Sequence, residues 1–461
     1  MLQNDSIQSA SNGHSLIQPA DRMIAMAKAH RHALFEKLPE NSAVLVASGH
    51  EQIRNRDVEF PFRPESDFFY LTGFSEPDSV LLLLKTSHNQ SIVFLRPRDP
   101  EQETWQGRRL GVELAPAILK IDQAWAIEEM DEQVAESLEN IQHLYFSFGQ
   151  LSTWMEPVEQ WMATLKSKVR KGVSAPTQLC DLDAIIHEMR LIKSNAEIDL
   201  MREAARISVA GHLAAMSSVA AGKYEFQVQA DLEAAFMQQG SQKVAFNSIV
   251  ASGDNACILH YTENSDQMGE HQLVLVDAGA EFRGYAGDIT TTFPVSGRFT
   301  EEQKKLYELV YKAQQAAIET IKPGVGYNEP HQQVIEILTA GLVEIGLLNG
   351  DVSELIKDEA YRAFFMHGTG HWLGMDVHDV GSYKVNGCWR EFEPGMVVTV
   401  EPGLYIDPGM DEIDECWKGI GIRIEDDVLV TESGCEVLTK GLPRTVEAIE
   451  QWMSEHNPNL K

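Results

Sequence analysis

The chain has 461 residues, 43% hydrophobic and 23% charged, and its 38 Lys+Arg against 69 Asp+Glu leave a formal net charge of −31. That length exceeds one ordinary core and implies two domains, and a surface so acidic repels phosphate backbones and anionic lipid, arguing against nucleic-acid and membrane partners. Five scattered cysteines, Cys180, Cys257, Cys388, Cys416 and Cys435, are odd in number and form no CxxC, which excludes a disulfide framework and a thiolate zinc knot.

The first forty residues hold no basic segment followed by an apolar one, and no stretch approaches the ~20 apolar residues of a membrane span, so a cytoplasmic protein is expected. Residues 43–48 (AVLVAS), 80–85 (VLLLLK) and 91–95 (SIVFL) are short apolar runs between turn residues and predict buried strands; helical patterns follow over 128–139 and 153–168. These make an α/β unit of their own. Between 170 and 185 Pro, Gly, Ser and charge are mixed, which places the interdomain crossover there and gives domains over 1–180 and 181–461.

The second domain opens with a helix signalled by a capping box, Ser194 to Glu197, with Ile198, Met201 and Ala205 along one face. A second box, Thr300 to Gln303, opens a helix whose inner face is Leu306, Leu309, Val310, Ala313, Ala317 and Ile321. After each helix the chain turns at Gly and Tyr (Gly222 to Tyr224, Gly324 to Tyr327) into another helix, and strands follow: Ser248 to Ser252 with a hairpin over 272–293, then 396–406 and 420–431. Two helix–helix–strand halves point to an internal duplication with a site between them.

Five metal-type side chains stand in short, strongly shaped segments: Asp277, Asp288, His371, Glu401 and Glu425. A hairpin can bring Asp277 beside Asp288, and two carboxylates on one face repel unless cations lie between them; Asp277 taken alone more commonly opens a turn with Ala278 and Gly279. His367 and His371 are four apart, as in a zincin helix, but the Glu and the helix formers that motif needs are absent, so a glycine-shaped loop is expected. Glu401 follows the apolar run MVVTV, where a carboxylate is costly unless paired or coordinated. Arg423 and Glu425 share a strand face, which also suits a plain ion pair on a solvated strand; Asp426 faces the other way and Asp427 is expected to open to solvent. Taken together, four carboxylates and one imidazole suit a pair of hard or borderline ions such as Mn²⁺, Co²⁺ or Fe²⁺ and metal-assisted hydrolysis.

These five segments, with FPFRPESDFFYLTGF, TWQGRRLG, HEMRLIKS and CILHYTEN, resemble the pita-bread dinuclear metallopeptidases, and among them the bacterial aminopeptidase P group, from about Arg31 to about Leu438. The resemblance implies an α/β (α+β) architecture, a creatinase-like amino-terminal domain followed by a pita-bread domain with an internal pseudo-twofold repeat. It implies release of the first residue of peptides with proline second, and two divalent ions, Mn²⁺ foremost, with Co²⁺, Fe²⁺ or Zn²⁺ as alternatives. Asp277 and Glu425 would serve both ions, Asp288 one, and His371 and Glu401 the other; Glu401 would also be the general base. His260, His367 and His378 resemble outer histidines that hold the scissile carbonyl or the proline side and relay protons, Arg423 the brace of the ligand shell, and Tyr405 a neighbour at the cleft. Trp105 and Arg170 match residues near the substrate, Trp105 reaching over from another subunit, which would make the protein a dimer or tetramer.

Two departures stand out. Thr291 replaces an arginine common at that position, and the loop Tyr383 to Arg390 differs in length, leaving open whether Lys384 or Arg390 supplies its basic group. Prolidase shares fold and ligands, and methionine aminopeptidase usually lacks a large preceding domain. A non-catalytic binding module of the same fold would have lost ligands, and here none is lost.

Overall fold

The apolar runs become strands in the computed structural model, which describes residues 18–460; the amino-terminal stretch read for a leader lies outside them up to residue 17. Two compact units divide the chain, one ending at Ile186 and the other starting at His187. The boundary expected at 180/181 falls earlier, at the end of strand Gln178–Asp181, which pairs with His143–Phe146 and so ties the supposed crossover to the first unit.

In the first unit six strands lie in the spatial order Gln123–Ala126, Gln90–Leu95, Val80–Lys85, Ser42–Ala47, His143–Phe146 and Gln178–Asp181. The three foreseen strands form the antiparallel centre, and their buried Leu, Val and Ile are what sequence could register. The flanking strands pair in parallel and are only four residues long with polar members, too short for a periodic signal. Helix Leu151–Ser167 buries Trp154, Val158, Trp161 and Leu165, one stripe at helical spacing, against a core that includes Leu45, Phe94 and Phe146.

The second unit repeats one layout. Helix Asn195–Ser218 is capped by the expected box, Glu197 N–H donating to Ser194 Oγ and Ser194 N–H to Glu197 Oε2 at 2.8 Å. It packs on Glu225–Gln238 so closely that a Cβ on Gly211 would stand 2.2 Å from the Phe236 ring. Glu301–Thr320 packs on Glu329–Glu344 in the same way, with Leu309 filling the space over Gly341. Each helix pair is followed by a three-stranded sheet: Ile249–Ser252, Leu273–Asp277 and Thr290–Pro294 in the first half, and Val397–Val400, Asp426–Val430 and Cys435–Val437 in the second. A two-stranded pair, Gly403–Ile406 with Ile420–Arg423, completes the second half. One large core with Phe236, Phe293, Tyr307, Trp372 and Ile422 joins helices and sheets. No helix among the described residues is long and apolar enough to cross a membrane.

Candidate metal and catalytic site

Breaks between strands place the site residues. Asp277 is the last residue of its strand, paired with Thr290, and Asp288 lies just before Thr290–Pro294 begins. Glu401 sits where the chain leaves Val397–Val400 for Gly403–Ile406, and Glu425 where it leaves Ile420–Arg423 for Asp426–Val430. At each break a carboxylate is carried to the end of a buried strand while the ladder pauses. His371 comes from the glycine loop, as expected. Gly370 passes so near Val397–Val400 that a Cβ would meet the Thr399 carbonyl at 1.9 Å, and His371 N–H donates to Thr399 Oγ1 at 3.0 Å.

Asp277, Asp288, His371, Glu401, Glu425, His260, His367, His378 and Arg423 all line one cavity of about 760 Å³. Asp288, His371 and Glu425 offer ligand atoms within 4.8 Å of one another, and His371 Nε2 is 3.4 Å from Asp288 and 3.6 Å from Glu401. His371 Nδ1 lies 3.0 Å from the Trp372 carbonyl and donates to it, which turns Nε2 toward the carboxylates.

The electrostatics are those of an acidic nest. Burial pushes the Asp288 carboxyl up to about 6, aided by the charge of Asp277 and opposed by the hydrogen bond from His371. Glu401 rises to about 7, also chiefly through burial. Glu425 goes well above the carboxylate range, from burial and the charges of Asp288, Glu401 and Asp277. His371 is the counterpart: burial works against its charge, but Asp288 and Glu401 raise it to about 9. The buried Asp277 Oδ1 finds no hydrogen-bond partner among the described residues. Four crowded carboxylates, an orphaned oxygen and an imidazole nitrogen held toward them are a donor set that divalent cations complete.

A pH dependence follows for metal-free protein. Asp288 and Glu401 take up protons more readily folded than at their ordinary 3.8 and 4.5, so each costs stability as pH climbs toward about 6 and about 7. The stabilising charge of His371, fully present below its ordinary 6.5, is lost as pH rises through about 9. All three act in one direction. The histidines that burial holds neutral, His212 and His367, add stability as pH climbs toward 6.5 and so oppose the trend below that value. After chelation the Tm is therefore expected to fall from pH 7 to pH 9, and the gap between metal-loaded and metal-free protein to widen; a metal-free Tm that rises over that range would contradict this electrostatic picture.

Around the nest the braces are explicit. Arg423 is buried and donates to Asp277 Oδ2 at 2.6 Å, Tyr405 OH at 3.0 Å and Thr290 Oγ1 at 3.2 Å, so it is neither solvated nor paired with Glu425. Glu425 instead accepts from the Thr290 hydroxyl at 2.6 Å. Tyr405, expected at the cleft, is buried beneath it; its hydroxyl donates to His367 Nε2 at 2.8 Å while receiving Arg423. Burial drives His367 down to about 3, so the ring is neutral, with Nδ1 donating to Gly368 O. His260 and His378 are exposed on the cavity wall. Asp427 does not open to solvent: its strand is the middle one of three, and its carboxylate is buried and accepts the Asp288 N–H at 3.2 Å. Trp105, 83% exposed on helix Pro100–Gln106, and Arg170, exposed at Val169–Lys171, stand on the first unit. Of the two basic residues in the altered loop, Arg390 is committed to Glu188 at 2.7 Å, whereas Lys384 lies over the Trp389 ring on an exposed hairpin. Sequence reasoning missed His212, wholly buried behind the hairpin, with one ring nitrogen on Ala278 O at 2.9 Å and the other on the hydroxyl of Thr291 at 2.8 Å. A lone histidine on a helix carries no signal for that.

Known proteins share this arrangement over nearly the whole chain. Residues 199–432 match metallopeptidase family M24, and residues 27–145 match the aminopeptidase P N-terminal domain. Xaa-Pro aminopeptidases of Haemophilus influenzae and Escherichia coli are 47% and 44% identical over 92% of this chain and 96% of each relative. The solved structure of the Pseudomonas aeruginosa aminopeptidase PepP superposes with a TM-score of 0.92 at 45% identity, covering 94% of this chain and 98% of that one. Zinc-substituted Escherichia coli aminopeptidase P in complex with product gives 0.92 at 42% identity, covering 94% and 99%. With the fold and the sequence held in common over more than nine-tenths of its length, the chain belongs to metallopeptidase family M24, its M24 unit preceded by an aminopeptidase P N-terminal domain.

Proposed function

We propose that the protein is a Xaa-Pro aminopeptidase, releasing the first residue of peptides whose second residue is proline, with two Mn²⁺ ions held by Asp277, Asp288, His371, Glu401 and Glu425. The observation that carries the reading is the convergence of those five side chains on one cavity with three histidines on its wall. Divalent ions there supply Lewis-acid polarisation of the peptide carbonyl and activate water as a nucleophile at neutral pH. The chain's own groups do the rest. Glu401 stands at the cavity with Oε2 3.7 Å from His367 Nδ1 and serves as the general base that holds the proton taken from water. Arg423 fixes the Asp277 carboxylate, and Tyr405 locks both Arg423 and His367, so the ligands and the first outer histidine are set before substrate arrives. His260 and His378 face the scissile carbonyl and the proline side, and pass the proton on to the departing amine.

The first unit shapes the cleft and builds the oligomer in this reading, Trp105 reaching the cleft of a neighbouring copy and Arg170 lying near the substrate; the large exposed face of Trp105 supports it. A dimer or tetramer is the assembly proposed. The cysteines are free thiols, which suits a reducing, cytoplasmic setting.

The test is a pair of peptides, Xaa-Pro-Xaa and Xaa-Ala-Xaa, beside an Xaa-Pro dipeptide, before and after chelation. Cleavage of the proline tripeptide alone, abolished by chelation and restored by Mn²⁺, is expected. Preference for the dipeptide would make the protein a prolidase, and turnover that survives exhaustive chelation would end the metal-assisted reading.

A further inference from the structure

Segment 372–381 leaves His371 and brings His378 back to the same cavity, and buried charges outside the cavity hold its turn. Asp379, directly after His378, lies between Arg190 and Lys193: Arg190 Nη2 is 2.6 Å from Oδ1 and Lys193 Nζ 3.0 Å from Oδ2, with all three side chains 1–2% exposed. Arg190 also reaches Asp376 at 2.7 Å. Burial alone would raise the Asp379 carboxyl, but Lys193 and then Arg190 more than reverse that, so it stays an anion below the ordinary Asp range. Such a cluster is a poor route to stability, because the desolvation of buried ions can exceed their attraction and packed apolar side chains of like volume commonly do as well. What it does fix is position. Two cations approaching one carboxylate through different oxygens admit one placement, and Gly374 crosses the cluster so closely that a Cβ would stand 2.1 Å from Asp379 Oδ2.

That placement reaches the cavity through one carbonyl. The oxygen of Trp372 accepts the N–H of Asp379 at 2.8 Å and the Nδ1–H of His371 at 3.0 Å. The rings of His371 and His378 meet edge-on, 4.3 Å between centroids. Asp379 is therefore tied by its backbone to the acceptor that orients the ligand histidine, and by the chain to the histidine beside it. Neither Asp379 nor its two cations line the cavity.

We propose that Asp379, Lys193 and Arg190 are positioning residues for turnover, setting His378 against His371 without touching substrate. The proposal rests on the reading of His378 as a substrate-facing group. Its test uses the full-length, metal-loaded protein on a Xaa-Pro-Xaa peptide, with bound metal counted in each variant. The variants are Lys193→Met, Lys193→Arg, and an apolar set combining Arg190→Met, Lys193→Met and Asp379→Leu, each with and without His378→Ala. Assayed well below their urea midpoints, Lys193→Met and the apolar set are expected to lose about tenfold or more in kcat through misplacement of the reacting groups, with metal content unchanged; the midpoint should fall in Lys193→Met, which strands part of a buried charge, and hold in the apolar set, which removes the charges together. Lys193→Arg should return most of the loss, and in the His378→Ala background Lys193→Met should add less than about twofold, because coupled sites are not additive.

A Lys193→Met loss that multiplies in full on His378→Ala, or that comes with loss of metal, would overturn the proposal and leave the cluster a mere scaffold. So would full kcat in the apolar set. Parent-like turnover in His378→Ala alone would instead remove the reading of His378 on which the proposal stands.

Discussion

Replacing Glu401 by Gln is expected to lower kcat on a Xaa-Pro-Xaa peptide by about 10³-fold, the scale of a lost general base, while the peptide still binds. The residue sits at a strand break inside the cavity, one oxygen 3.6 Å from His371 and the other 3.7 Å from His367. Glutamine keeps the length of the side chain and an oxygen for the cavity but offers no site for a proton. His367, the histidine nearest its free oxygen, cannot take over, since it is neutral with both nitrogens engaged by Gly368 and Tyr405. Steady-state rates together with peptide binding by calorimetry check this. A Gln variant that keeps a tenth or more of the parent kcat would remove Glu401 from the proton-accepting role.

Arg423→Met carries the largest expected loss of stability, about 3–5 kcal/mol, because removing one partner of a buried ion pair leaves its counter-charge uncompensated. Three dependencies end on this guanidinium: the Asp277 carboxylate, the Tyr405 hydroxyl and Thr290. With it gone, Asp277 keeps a buried carboxylate whose other oxygen already lacks a partner among the described residues. Urea unfolding of the chelated protein measures the change, and adding Asp277→Asn should recover part of it by discharging the stranded anion. A loss below about 1 kcal/mol, the level of an exposed pair, would show that the pair is not desolvated as the geometry indicates.

Much of this was legible in the chain itself, for identifiable reasons. Glu401 draws notice because a carboxylate at the end of a buried β-branched run is costly unless paired or coordinated, whereas Glu425 gains weight only beside the other four; both capping boxes are local codes that tertiary context had no cause to override. Period two put Arg423 and Glu425 on one strand face; the strand ends at Arg423 and both residues line the cavity, yet their partners lie on the other hairpin, Asp277 for one and Thr290 for the other. Facing along a strand does not reveal what covers the face. The same limit explains Asp427, which was expected to open to solvent: only the sheet order, with a strand on each side, buries it. His212 and Asp379 act over long sequence separations, to Thr291 and to Lys193, and nothing local marks either one.

The two helix–helix–strand halves have a corollary for stability. Asp277 and Asp288 come from the first half, His371, Glu401 and Glu425 from the second, so an ion gripped by all five staples one half to the other. Loading it should therefore raise the resistance of both halves to urea together, because a ligand that binds only the folded chain stabilises every part that must be folded to hold it.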